Sequence, residues 1–146
     1  MIAVNFANTN IKIKTENDIN FVYDAQRKKW IILTAEEWVR QHLISFFITH
    51  CKYPKKHIAV EKQIIVNTQK KRFDILIYNS ALQPWLIVEC KEPDTLLNDE
   101  VLQQILSYQS ALKAAYFVIS NGTNTYLYTL NYLGAIISKT EWPKWC

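Results

Sequence analysis

Two stretches constrain this chain more than any others: Arg72–Tyr78 and Trp85–Cys90, separated by the turn-forming residues Asn79-Ser80-Ala81-Leu82-Gln83-Pro84. Each is apolar at odd and even positions alike, so neither strand can turn a face to water. They are predicted to form a hairpin inside a sheet that is covered on both sides. The exceptions to the apolar pattern are specific. Asp74 interrupts the first run, and the second ends in Glu89-Cys90-Lys91. Charge at the ends of core strands is costly unless it is compensated, which marks these positions as functional candidates.

The remaining segments supply what such a sheet needs. Residues 11–14 and 20–23 alternate around Glu16-Asn17-Asp18 and predict an N-terminal hairpin. Thr34-Ala35-Glu36-Glu37 has capping-box spacing, with Thr34 accepting from a free backbone N–H and Glu37 reaching back. Val39, Leu43, Phe46 and Phe47 follow at helical spacing, which predicts a helix over 35–50. Residues 57–66 alternate and are rich in Ile and Val, as one strand or two short ones. Residues 99–113 read as a helix and 115–119 as a buried strand ending at the Asn121-Gly122 turn. Residues 125–130 and 133–138 make a last hairpin around Asn131. The class is therefore α/β, with helices on opposite faces of a mixed sheet. A length of 146 residues with only two glycines and four prolines leaves little room for linkers. One domain over 1–146 is expected, with the hairpin at about 10–24 and the core at about 30–140.

Seventeen Lys and Arg against 13 acids give a net charge of +4, permissive for a polyanion partner but no proof of one. The clustering is more informative: Arg27-Lys28-Lys29, Lys52 with Lys55-Lys56, and Lys70-Lys71-Arg72 recur as basic knots that could meet phosphates, although each alone also suits a solvated turn. Cys51, Cys90 and Cys146 imply no disulfide framework, and His42, His50 and His57 have no zinc-site spacing. No leader-like start and no long apolar run is present, so a soluble cytoplasmic protein is expected, with no membrane partner. Gly122 and Gly134 are the only glycines, which excludes a glycine-rich phosphate loop and the nucleotide-binding enzymes built on one.

If the central hairpin is symmetric about the midpoint of Ala81 and Leu82, Tyr78 lies opposite Trp85, Leu76 opposite Ile87, and Asp74 opposite Glu89. Directly opposed side chains have Cβ atoms about 4.5 to 5.5 Å apart, where two carboxylates repel unless a cation or a proton intervenes. A metal ion resolves the repulsion economically. Lys91 shares the face of Glu89 because side chains alternate with period two. A plain salt bridge between Lys91 and one carboxylate at a sheet edge would account for the same three residues.

Phe73-Asp74, a fourteen-residue gap and Glu89-Cys90-Lys91 resemble the bipartite signature of the PD-(D/E)XK nuclease superfamily, with Phe73 where the name has proline. More closely, the phrases Leu33–Gln41, Lys71-Arg72-Phe73-Asp74-Ile75, Trp85–Lys91 and Ile119-Ser120-Asn121-Gly122 resemble the N-terminal nuclease domain of type I restriction enzyme motor subunits, over roughly residues 25 to 130. The resemblance implies a restriction-endonuclease-like core, a mixed β-sheet flanked by helices, and a metal-dependent DNA endonuclease without the ATPase motor. It implies Asp74 and Glu89 as ligands of Mg²⁺ or Mn²⁺, the hard ions that oxygen donors select, with Glu36 and the Cys90 carbonyl completing the shell. Lys91 would orient the attacking water and stabilise charge on the phosphate. Glu36 matches the family's helix glutamate four residues before an arginine, here Arg40, although Glu36 and Glu37 would also favour a helix N-terminus through its dipole. Gln104 and Tyr108 match a Gln-x-x-x-Tyr motif that supports the site and contacts DNA. Without the resemblance, Tyr108 would read as a core aromatic and Gln104 as a surface residue. Lys70, Lys71 and Arg72 are the candidate phosphate contacts. DNA is the implied partner, with a second copy of the chain or other restriction subunits beside it. The alternative is a non-catalytic DNA-binding or adaptor domain on the same fold. Its signature would be loss of Asp74, Glu89 or Lys91, and all three are present.

Overall fold

The computed structural model describes residues 1–7 and 9–146, and of residues 66 and 108–111 the backbone alone. The chain runs β1 (Ile13–Glu16), β2 (Ile19–Asp24), β3 (Lys29–Ile32), α1 (Ala35–Thr49), β4 (Ile58–Val66), β5 (Gln69–Tyr78), β6 (Pro84–Cys90), α2 (Asp99–Leu112), β7 (Tyr116–Ser120), β8 (Thr125–Leu130) and β9 (Ile136–Lys139). Strands β1, β2 and β3 form a small antiparallel sheet. Strands β4 to β9 form a six-stranded sheet in sequence order. Only β6 and β7 run parallel, and α2 is the crossover a parallel pair requires. The expected mixed sheet with helices is thus present.

The helices cover opposite faces of the large sheet. Ile75, Ile77, Leu86 and Val88 pack with Val39, Leu43 and Phe47 of α1, while Leu76, Ile87 and Phe117 pack with Val101 and Ile105 of α2. Strict alternation along β5 and β6 sends successive residues to the two cores, which is why these strands read as apolar throughout. Ile75, Ile77, Leu86 and Ile87 are all 0% exposed, and truncating any of them to alanine costs about 2–5 kcal/mol.

Three features depart from the sequence expectation. Strand β3, not anticipated, joins the N-terminal hairpin. Strands β4 and β5 make one long hairpin through Asn67 and Thr68 (φ 49° and 67°), so β5 starts three residues before Arg72. The symmetric register holds from Ile75↔Val88 to Ile77↔Leu86 but slips at the turn, where Tyr78 faces Pro84 and not Trp85. Elsewhere the ends lie within about two or three residues of expectation. The Asn121-Gly122 turn forms as expected. A Cβ on Gly122 (φ +85°) would lie 3.1 Å from Val39 and 3.2 Å from Trp38, so the turn seats the end of β7 against α1. No helix among the described residues is long and apolar enough to cross a membrane.

Candidate active site

The charged residues gather where the central ladders lapse. Val60↔Ile75 and Lys62↔Phe73 are paired across β4 and β5, but Glu61 and Asp74 between them are not. Glu61 has φ 50°, in the left-handed region. On the other side the β5–β6 ladder ends at Ile75↔Val88, and the next step would pair Asp74 with Glu89. There a side chain replaces the backbone acceptor: the Cys90 N–H donates to Asp74 Oδ2 at 2.7 Å. Glu61, Asp74 and Glu89 therefore occupy consecutive register positions on three adjacent strands. Asp74 is 8% exposed and Glu89 6%.

Beside Lys91 and a metal ion, the cations weighed in the sequence, Arg40 is a further partner of these acids. Its guanidinium donates through Nη2 to Asp74 Oδ1 at 2.7 Å and Glu36 Oε1 at 3.3 Å, and through Nη1 to Glu61 Oε1 at 2.9 Å and to Glu37 Oε2. Burial disfavours the Arg40 charge, but Asp74 and Glu37 outweigh it and raise its pKa. Arg27 reinforces the network, donating to Asp24 Oδ2 (2.5 Å), Glu61 Oε2 (2.7 Å) and Glu37 Oε1 (3.0 Å). The capping box is accordingly half formed. Thr34 Oγ1 accepts from the Glu37 N–H at 3.1 Å, while the Glu37 carboxylate turns to Arg27, Arg40 and Gln41. Glu36 remains the less committed acid of the first turn, with its side chain 41% exposed. Its pKa is raised by burial first and then by the charge of Asp74.

Glu89 faces α2. Gln104 Nε2 donates to Glu89 Oε1 at 2.9 Å, and Lys91 Nζ donates to Gln104 Oε1 at 3.1 Å while lying 3.4 Å from Glu89 Oε1. Gln104 thus bridges the acid and the lysine that sequence reading singled out. Burial, followed by the negative charge of Asp74, pushes the Glu89 carboxyl up to about 8, against the pull of Lys91. Glu89 Oε2 is buried with no hydrogen-bond partner among the described residues. The Tyr108 side chain lies outside the described residues. Two clefts, about 410 and 430 Å³, flank Glu36 and Glu92, one lined by Lys91 and Gln104 and the other by Arg40 and Glu61.

The Cys90 side chain points into the core beside α1, and burial raises its thiol pKa well above the ordinary value. Only its backbone serves the site. Lys70, Lys71 and Arg72 lie on β5 toward the far end of the long hairpin, opposite Ile65, Ile64 and Gln63. Arg72 Nη2 comes within 4.0 Å of Glu61 Oε1. The histidines are packed against aromatics: His42 on Trp38 (4.2 Å), His50 on Phe46 (4.8 Å) and His57 on Trp145 (4.9 Å). Sequence reading passed over Glu61, and it named Arg40 only as the arginine after Glu36 and Arg27 only within a basic knot, without joining either to the acids. The available signal was Arg40, one helical turn beyond Glu36 and so on the same face.

Two hard carboxylates on neighbouring strands, one with a buried unpartnered oxygen, suit a divalent cation. Among the described residues no group of three His, Cys, Asp or Glu side chains is arranged to hold an ion, and Glu36 accepts from Arg40 at 3.3 Å. The donor set that fits is the pair Asp74 and Glu89.

Comparison with known proteins gives one family. The family described as type I restriction enzyme R protein N terminus matches residues 35–140, from the start of α1 through β9. No curated protein matches the chain.

Proposed function

The chain belongs to the family of the type I restriction enzyme R protein N terminus, and from this premise we propose that it is a divalent-cation-dependent deoxyribonuclease that hydrolyses the phosphodiester backbone. The observation that carries the reading is the convergence of Asp74, Glu89 and Lys91 at the lapse between β5 and β6, with Glu89 Oε2 left unpartnered. That spacing matches the PD-(D/E)XK pattern.

In this reading Asp74 and Glu89 hold Mg²⁺ or Mn²⁺, with Glu36 and the Cys90 carbonyl as further oxygen donors. The cation supplies charge neutralisation at the phosphate and a more acidic water. The residues of the chain do the rest. Lys91, fixed by Gln104, places a positive charge beside the scissile phosphate and orients the water that attacks it. Arg40 holds Asp74 Oδ1 and keeps the carboxylate aimed. The Cys90 N–H holds the other Asp74 oxygen, so the carboxylate cannot rotate away. Lys70, Lys71 and Arg72 contact phosphates further along the DNA. The partners are DNA and the subunits of a restriction complex or a second copy of the chain, and the site of action is the cytoplasm.

One observation favours a second reading, a DNA-binding adaptor without catalysis: Arg40 already contacts Asp74, and among the described residues no three His, Cys, Asp or Glu side chains are arranged to hold an ion. Incubating the protein with plasmid and single-stranded DNA in Mg²⁺, Mn²⁺ or excess chelator separates the two. Cleavage in metal alone supports the nuclease. Salt-sensitive binding without cleavage in any metal supports the adaptor.

A further inference from the structure

We infer that the outer face of the β1–β2–β3 sheet is a stacking platform for single-stranded DNA, an inference that rests on the nuclease reading and names the form of its substrate. The sheet precedes the stretch shared with the family, which begins at Ala35. Its two faces differ sharply. Val22 and Asp24 of β2 point inward and are fully buried, with the Asp24 charge saturated by Arg27 and Gln41. Ile19, Phe21 and Tyr23 point the other way, beside Trp30 and Ile32 of β3 through the pairs Tyr23↔Trp30 and Phe21↔Ile32. Trp30 is 39% exposed and Ile32 58%.

Charge selects the occupant. Lys14 lies opposite Phe21, with its Nζ 4.5 Å from the Trp30 ring centroid. Lys12 lies opposite Tyr23, and Lys28 is exposed in the β2–β3 turn. Of the acids on the outer side, Glu16 is ion-paired with Lys14 at 3.1 Å, which leaves Lys12 and Lys28 as the lysines offered to phosphate, and Asp18 sits in the β1–β2 turn. Aromatic rings interleaved with lysines offer unpaired bases a stacking surface and their phosphates a counter-charge, without reading sequence. A duplex keeps its bases stacked inside and cannot use such a face. Position agrees with this use. Ile31 and Ile32 also line the cleft that holds Glu36, Arg40 and Glu61, so a strand leaving β3 enters beside the candidate site.

The test is fluorescence anisotropy of a labelled oligothymidine and of a duplex of equal length, titrated with the full chain in excess chelator. The single strand should bind more tightly. Trp30→Ala and Phe21→Ala should weaken it about ten-fold or more while leaving duplex binding unchanged, and Trp30→Phe should retain it; circular dichroism checks the fold of each variant. Equal affinity for both DNAs, or undiminished single-strand binding by both alanine variants, would overturn the proposal. So would a wild-type dimer, seen by sedimentation, that Trp30→Ala abolishes, since the face would then belong to a second copy. Because binding is read without metal, single-strand binding that depends on Trp30 supports the platform even where no DNA is cut, and that pairing of results would refute only the nuclease reading.

Discussion

Arg40 Nη2 donates to Asp74 Oδ1 at 2.7 Å across 34 residues of sequence, with the arginine side chain 4% exposed and the aspartate 11%. This pair joins α1 to the central strand of the candidate site. It also makes the site part of the scaffold, because the same guanidinium holds Glu36, Glu37 and Glu61.

Removing one partner of a buried pair strands the other charge. Arg40→Met should therefore destabilise the protein by about 3–5 kcal/mol, read by urea denaturation. Asp74→Asn in that background should cost less than it does alone, because the two residues act on one another. Additive losses would show that the pair carries no coupling.

The raised Glu89 carboxyl gives stability a pH dependence of definite sign. Its folded-state pKa of about 8 lies above the ordinary value of 4.5, so the folded protein holds a proton that the unfolded chain releases. Metal-free stability from this group is full below about pH 4.5 and is lost as pH rises through about 8. Glu36 shifts in the same direction. Glu61 is lowered, because Arg40 and Arg27 outweigh its burial, so its contribution is lost instead as pH falls in the acid range. Thermal melts in chelator from pH 5 to 9 should show a decline that Glu89→Gln removes. An unchanged slope in that variant would assign the decline elsewhere.

Gln104 touches both Glu89 and Lys91, which makes it a positioning residue. Gln104→Ala should slow cleavage by about 10- to 100-fold, the worth of hydrogen bonds to charged groups, with the fold retained. Gln104→Glu should not restore it, because a carboxylate cannot donate to Glu89. Tyr108→Phe should also lower cleavage. Wild-type rates in all three would return the motif to a packing role.

Because the chain has no glycine-rich phosphate loop, the purified protein should neither hydrolyse ATP nor need it to cut. A DNA-stimulated ATPase of the wild-type chain would contradict this.

The parts of the site that rest on local rules were legible in the sequence. The Leu76↔Ile87 register followed from turn symmetry, and it placed Asp74 and Glu89 at adjacent positions. Helix α1 followed from the Thr34 cap and its apolar spacing. The register failed at Tyr78, where Pro84 has no N–H to give the ladder, and the expected Asp74–Glu89 pair lies one step beyond the ladder, which ends at Ile75↔Val88. The rest depended on long-range geometry. Arg27 meets Glu61 across 34 residues, and Glu61 reaches Arg40 from a strand position with φ 50°. No periodicity encodes such a meeting. Strand β3 is four residues long and alternates weakly, so its pairing partner β2 defines it more than its own pattern does.

The most direct measurement compares DNA cleavage in Mg²⁺ or Mn²⁺ by the wild-type chain and by Asp74→Ala, Glu89→Ala and Lys91→Ala, each checked for folding by circular dichroism. Cleavage should occur only with the cation in the wild-type protein and should fall by orders of magnitude in all three folded variants. Cleavage that persists in excess chelator, or at wild-type rate in a folded variant of Asp74 or Glu89, would contradict the assignment of this site.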